Sequence, residues 1–220
     1  MSDHQEAIAE ILALAPVVPV LIIGDVEKAI PLARALVAGG LPVLEITLRT
    51  PGAIDAIRRI SKEIPNGVVG AGTVINPAQY QAVADAGARF VVSPGHSAAL
   101  LDAAKNSPVP FLPGAITPTE VIELVSAGYR YLKFFPAEPA GGIPMLKAFA
   151  SPLPEVRFCP TGGIDLAKAP QYLALPNVVA VGGSWVAPAD AIASGDWGRI
   201  EELAREASQL SRAGQGGGRA

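Results

Sequence analysis

Short apolar segments alternate with longer amphipathic segments along most of the chain. The eight apolar segments begin near Val17, Pro42, Gly67, Arg89, Pro110, Tyr129, Val156 and Val178. They recur every ~20 to 27 residues, which is the length of one strand–loop–helix–loop unit. Their valine, isoleucine and phenylalanine content is typical of strands buried on both faces of a parallel sheet. The pattern therefore predicts a series of β/α units.

The amphipathic segments carry the start and stop signals of helices. Asp25 opens the first of them and Gly39–Gly40 closes it. Three others begin with an N-cap residue and proline at the first helical position, at Thr50–Pro51, Asn76–Pro77 and Thr117–Pro118. Thr117 and Glu120 also fit a capping box.

Eight near-equal units predict an α/β fold, a closed (β/α)8 TIM barrel, with residues 2–15 forming an extra N-terminal helix. A doubly wound open sheet is the alternative. Eight strands would make such a sheet unusually wide for 220 residues, so we favour the barrel. No linker-like stretch interrupts the series, and we expect one domain over 1–212. The glycine-rich segment 213–220 is expected to be a disordered tail.

Composition limits the kinds of binding partner and the cellular compartment that we expect for this protein. Half of the residues are hydrophobic, which argues against extended disorder. The net charge is only −3, which argues against a nucleic-acid or anionic-membrane partner. No apolar run reaches the ~20 residues of a membrane span, and the first residues lack a secretory-signal pattern. Cys159 is the only cysteine, and His4 and His96 are the only histidines, so no Cys/His metal site is expected. We expect a cytoplasmic protein.

Two charged residues stand inside predicted barrel strands. Glu45 lies in the segment PVLEITLR and Lys133 lies in YRYLKFF. If their faces point inward, both charges are buried, which costs several kcal/mol unless they are paired. One interpretation is an ion pair that only fills the interior. The other is a lysine that acts as a neutral amine nucleophile beside a general acid/base, as imine chemistry requires.

Glycines near the ends of the last two predicted strands indicate a second site. Gly162 and Gly163 follow the seventh strand, and the segment 182–185 (GGSW) follows the eighth. In TIM barrels the loops after these two strands commonly bind phosphate through backbone N–H groups. Tight turns that need glycine only for positive φ are the alternative. Arg49, at the end of its strand, has the geometry to clamp a carboxylate, although an exposed arginine there would look the same.

Together these segments resemble the 2-keto-3-deoxy-6-phosphogluconate (KDPG) aldolase family of the Entner–Doudoroff pathway. The resemblance runs from about Val17 to Leu210. The matching segments are VLEITLRTP (43–51), GAGTV (70–74), FVVSPG (90–95), LKFFPAE (132–138), RFCPTGGI (157–164) and GGSW (182–185). The mild departures are Pro118, His96 and the glycine tail.

The resemblance implies a role for each matched residue. Lys133 stands where the family has its Schiff-base lysine, and Glu45 where it has its acid/base. The implied substrate-binding residues are Arg49 and Thr73 for the pyruvate portion, Pro94 and Phe135 lining that pocket, Gly162, Gly163 and Ser184 for phosphate, and Thr161 for stereochemical preference.

The resemblance also implies an activity and an assembly. The implied reaction is cleavage of a phosphorylated keto acid to pyruvate and D-glyceraldehyde 3-phosphate without a cofactor, in a homotrimer. A phosphogalactonate-type aldolase, a 4-hydroxy-2-oxoglutarate aldolase, a non-covalent isomerase and a silent phosphosugar-binding barrel remain as alternatives.

Overall fold

The computed structural model describes residues 3–212. The strands in this range are β1 (Val17–Leu21), β2 (Val43–Thr47), β3 (Val68–Gly72), β4 (Val91–Val92), β5 (Phe111–Leu112), β6 (Gly114–Ala115), β7 (Tyr131–Phe134), β8 (Arg157–Pro160) and β9 (Val181–Gly183). The helices are α1 (Asp3–Ala13), α2 (Ala29–Ala38), α3 (Ala53–Glu63), α4 (Pro77–Asp85), α5 (Ala98–Lys105), α6 (Pro118–Ser126), α7 (Gly142–Ala150), α8 (Ala169–Leu173), α9 (Ala189–Ser194) and α10 (Trp197–Ser208). The expected disordered tail, 213–220, lies outside the described residues.

The strands form a closed parallel ring. One run of paired strands has the order β5-β4-β3-β2-β1-β9 and a second has the order β6-β7-β8. β5 and β6 are two parts of one barrel strand, interrupted at Pro113, which has no N–H to donate. Bridges from Phe158 to Val178 and from Thr161 to Gly182 join β8 to the β9 side. The predicted TIM barrel is confirmed, and the open sheet is wrong.

Alternate residues of each strand face two different cores. Leu44 packs in the large cluster between the strands and the surrounding helices, whereas Val43 packs in a smaller cluster inside the barrel. Ile8 and Leu12 of α1 belong to that inner cluster together with Val18 near the start of β1. The predicted extra helix therefore closes the amino-terminal end of the barrel, which leaves the carboxyl ends of the strands open for a site.

Two of the three predicted Pro-containing helix starts are confirmed. Asn76 Oδ1 accepts a hydrogen bond from Gln79 N at 2.9 Å, and Thr117 with Glu120 forms a complete capping box. The third was wrong, because α3 begins at Ala53 and Thr50 Oγ1 instead donates to the Ile23 carbonyl at 2.7 Å. Within residues 3–212, no helix combines the length and apolar character that crossing a membrane requires.

Candidate active site

Lys133 and Glu45 meet inside the barrel from opposite sides. Lys133 is on β7 and Glu45 is on β2, four barrel strands apart around the ring. Lys133 Nζ donates to Glu45 Oε1 at 2.9 Å, and the two side chains are 5% and 4% exposed. Strand periodicity left the direction of these side chains open, and the structure shows that both face inward. A primary amine and a proton acceptor are thus held in direct contact.

Glycine on the neighbouring strand makes room for this pair. A Cβ atom at Gly72 would lie 2.1 Å from Glu45 Oε1, so a larger residue there would displace the carboxylate. On the other side, the Phe135 ring centre lies 5.3 Å from Lys133 Nζ, a distance at which the ring face attracts the ammonium. The Lys133–Glu45 pair is therefore positioned by the space that Gly72 leaves and by the ring of Phe135.

A second pair lies at the ends of β2 and β3. Arg49 Nε donates to Thr73 Oγ1 at 3.2 Å. Thr73 has a φ of 61°, although its branched side chain disfavours the left-handed region. Such a conformation costs about 1–3 kcal/mol and is concentrated at functional sites. Among residues 3–212, the Arg49 guanidinium has no hydrogen-bond partner other than Thr73, and with the backbone strain of Thr73 this indicates a site for an anionic group.

A cavity of about 140 Å³ opens beside the lysine. Its lining comprises Val20, Ile22, Arg49, Lys133, Phe135, Thr161, Gly162, Gly163, Ile164, Gly182, Gly183 and Ser184. Gly162 and Gly163 have φ values of 108° and 78°, where a side chain would be strained. Ser184 is exposed at the rim. Among residues 3–212, no three His, Cys, Asp or Glu side chains are grouped to hold a metal.

The second glycine pair differs from its prediction. Gly182 and Gly183 are the last residues of β9 rather than loop residues after it, because they pair with Val18 and Pro19 of β1. A Cβ atom at Gly182 would lie 2.2 Å from Thr161 Oγ1. This glycine therefore serves close packing of the Thr161 side chain against the last strand.

Seven of the ten expected site residues line the cavity, and three do not. Glu45 does not line the cavity but is hydrogen-bonded to Lys133, which does. In the same way, Thr73 is hydrogen-bonded to Arg49. Pro94 lies outside the cavity lining and packs against the strand that carries Gly114. A Cβ atom at Gly114 would be 2.3 Å from the Pro94 carbonyl oxygen. Gly114 is in register with Lys133 on the adjacent β7, so one barrel strand, the one that carries Gly114, separates Pro94 from the lysine.

Sequence reasoning missed three apolar residues of the lining. Val20 and Ile22 lie at the carboxyl end of β1, and Ile164 follows the glycine pair. The available signal was positional, since side chains at the carboxyl ends of barrel strands converge on one site. Ile22 is 52% exposed, which is unusual for an isoleucine next to a buried strand.

Cys159 completes the surroundings of the lysine. It stands in register with Lys133 on the neighbouring β8 and is buried inside the barrel. Burial, with the Glu45 charge nearby, raises the pKa of the Cys159 thiol to about 12. The thiol is therefore neutral at physiological pH and is not a competing nucleophile.

An amine in contact with a proton acceptor, at the open end of a parallel barrel, defines the class of TIM-barrel enzymes that form an imine with a carbonyl substrate. The chain belongs to the family described as KDPG and KHG aldolase, whose model matches residues 8–203. It is 51% identical over 207 residues to the KHG/KDPG aldolase of Escherichia coli K12, covering 94% of this chain and 97% of the relative.

Solved structures agree with this assignment. A KDPG aldolase from Legionella pneumophila, with pyruvate captured at low pH as a covalent carbinolamine intermediate, is 49% identical with a TM-score of 0.90, covering 91% of this chain and 98% of that one. The enzyme from Zymomonas mobilis ZM4, solved with 3-phosphoglycerate, is 48% identical with a TM-score of 0.90, covering 95% and 98%.

Proposed function

We propose that this protein is a Schiff-base aldolase that cleaves 2-dehydro-3-deoxy-6-phosphogluconate to pyruvate and D-glyceraldehyde 3-phosphate. The observation that carries the proposal is the buried Lys133–Glu45 contact of 2.9 Å at the edge of a cavity lined by Gly162 and Gly163. Pyruvate captured covalently in the Legionella relative supports the same chemistry.

Lys133 supplies the nucleophile. Its amine attacks the C2 ketone to give a carbinolamine, with the lysine proton passing to Glu45. Loss of water then gives an iminium ion that withdraws electrons from C3. Removal of the C4 hydroxyl proton breaks the C3–C4 bond, its electron pair forms the enamine, and the aldehyde leaves. Protonation of C3 and addition of water release pyruvate and restore the lysine. Glu45 is in place for these proton transfers, directly or through a water.

The remaining residues hold the two ends of the substrate. Arg49, oriented by Thr73, binds the carboxylate of the pyruvate portion, and Pro94 and Phe135 shape that pocket. Gly162, Gly163 and Ser184 bind the phosphate at the other end of the cavity. Thr161, which lines the same cavity, contacts the hydroxyl groups that distinguish gluconate from galactonate substrates.

A side activity on 4-hydroxy-2-oxoglutarate follows from the same lysine, because that substrate carries the same 2-keto acid portion. The Escherichia coli relative bears both activities in its name, which supports this second substrate. A phosphogalactonate preference and a silent binding barrel are the alternatives. Comparing the cleavage rates of the gluconate, galactonate and hydroxy-oxoglutarate substrates tests the phosphogalactonate preference. Any turnover excludes the silent binding barrel.

Borohydride trapping with pyruvate tests the proposal. Reduction is expected to fix a pyruvyl group on Lys133, identified by peptide mass mapping, and the Lys133→Ala variant is expected to show no adduct and no turnover. A wild-type protein that is folded and gives no adduct would overturn the Schiff-base mechanism. An adduct on a different lysine would move the nucleophile away from the barrel interior.

The assembly and the location are part of the same proposal. We propose a cytoplasmic homotrimer that uses neither cofactor nor metal and acts on small phosphorylated keto acids. The family resemblance supports the trimer, which sedimentation velocity tests directly. A stable monomer with full activity would contradict it.

A further inference from the structure

Two successive carbonyls of the glycine loop are held from outside the cavity. Glu138 N donates to the Gly162 carbonyl at 3.1 Å, and Lys168 Nζ donates to the Gly163 carbonyl at 2.9 Å. In a trans peptide the C=O and the following N–H point in opposite directions. The amides of Gly163 and Ile164 therefore point away from Glu138 and Lys168, and neither donates to another atom of residues 3–212.

Lys168 is itself fixed by a carboxylate. Its Nζ lies 2.8 Å from Glu138 Oε2, while Glu138 Oε1 accepts a short hydrogen bond from the Tyr172 hydroxyl. The hydrogen bonds from Lys168 and Tyr172 hold the pKa of the Glu138 carboxyl below its usual value. Glu138 also packs directly under the loop, since a Cβ atom at Gly163 would lie 2.7 Å from Glu138 Cγ. The ammonium thus contacts both the Gly163 carbonyl and the Glu138 carboxylate.

We infer that Lys168 and Glu138 are positioning residues for the anion-binding amides of this loop, and that the Ile164 amide is one of those donors. Lys168 fixes the orientation of the Gly163–Ile164 peptide, and Glu138 fixes Lys168. The inference rests on the proposed function for the identity of the anion, a phosphate ester. The inference predicts that the Gly163–Ile164 peptide loses its fixed orientation when either side chain loses its hydrogen bonds.

Substitution of Lys168 tests the first part. Lys168→Met is expected to weaken binding of inorganic phosphate, followed by ³¹P NMR titration, by about ten-fold. The KM for the phosphorylated substrate should rise by a similar factor. Borohydride trapping of pyruvate, which carries no phosphate, should be unchanged. Lys168→Arg should restore most of the affinity. Lys147→Met is the matched control, because Lys147 is exposed on α7 without a hydrogen bond or ion pair among residues 3–212.

Substitution of Glu138 separates positioning from simple charge attraction. Glu138→Met keeps the Cβ and Cγ atoms under Gly163 but removes a negative charge near the site. If the lysine acts only through its field, phosphate should bind more tightly to this variant. Positioning predicts weaker binding, as in Lys168→Met. Tighter or unchanged binding in a variant with wild-type melting behaviour would overturn the inference. Absence of a pyruvate adduct in the wild type would instead overturn the proposed function, while the phosphate titration would still report on the loop.

Discussion

At the scale of single residues, the ion pair inside the barrel is not explained by stability. Taking each ion out of water costs several kcal/mol, and replacing buried ion pairs by apolar residues is often neutral or stabilising. The surrounding inner cluster, with Val43 and Leu112, shows that apolar side chains fill this barrel readily. Lys133 and Glu45 are therefore better explained by the chemistry of an amine beside a base than by packing.

Gly72→Ala tests the position of the Glu45 carboxylate. The new Cβ would stand 2.1 Å from Oε1 and 2.8 Å from the carboxylate carbon, so the carboxylate that contacts Lys133 must leave its present position. We expect kcat to fall by roughly 10²–10⁴-fold, the usual value of general acid–base catalysis. Steady-state kinetics on the phosphorylated substrate measures it. Retention of wild-type kcat would show that proton transfer does not depend on this contact.

Gly198→Ala provides the matched control for that change. The nearest side-chain atom of residues 3–212 to its Cβ would be Asp196 Oδ1, at 3.9 Å, near the start of α10. Activity should stay at the wild-type level, and stability should rise by up to about 1 kcal/mol because glycine weakens a helix.

At the scale of secondary structure elements, α1 is tied to the barrel by one buried amide. Gln5 is 1% exposed, and its Oε1 accepts from the backbone N–H groups of Arg130 and Tyr131 at 2.7 and 3.0 Å. These amides stand at the start of β7, the strand that carries Lys133. Helix α1 thus provides a hydrogen-bond acceptor for the backbone N–H groups at the start of β7. It does so at the closed, amino-terminal end of the barrel, away from the open end that Lys133 faces.

Gln5→Leu should cost about 1–3 kcal/mol of stability, because two partly buried N–H groups lose their acceptor. Chemical denaturation measures this loss, and KM should not change because the open end of the barrel is unaffected. Gln81→Leu, an exposed position on α4, should stay within about 0.5 kcal/mol of the wild type. A stable Gln5→Leu variant would mean that water replaces the glutamine oxygen.

Local sequence patterns predict contacts within one β/α unit but not contacts between units. Period-2 alternation placed Glu45 and Lys133 on one face of their strands, and charge inside apolar strands marked them. Thr50 was misread as a cap because its partner, the Ile23 carbonyl, lies on a different unit. The Lys168–Glu138 contact was missed for the same reason, since no local pattern pairs the start of α8 with the loop after β7.

At the scale of the whole molecule, the closed barrel isolates its only thiol. Cys159 is 4% exposed inside the ring of strands, and burial raises its pKa to about 12. At pH 8 the thiol is therefore almost entirely protonated. Both exclusion from solvent and protonation oppose its reaction with a thiol reagent, since the thiolate is the nucleophile.

Labelling of Cys159 should therefore report opening of the barrel. In native protein at pH 8 we expect negligible reaction with a disulfide reagent over minutes, and complete reaction of one thiol per chain in denaturant. A ligand that binds only the folded protein, such as inorganic phosphate, should slow labelling near the unfolding midpoint because it stabilises the closed state. Because burial is what raises the pKa, the thiol regains its ordinary pKa of about 8.5 once the barrel opens, so labelling should accelerate as the pH rises to about 9 even at constant stability. Rapid labelling of native protein at pH 8 would contradict the closed interior and indicate a solvent path beside Lys133.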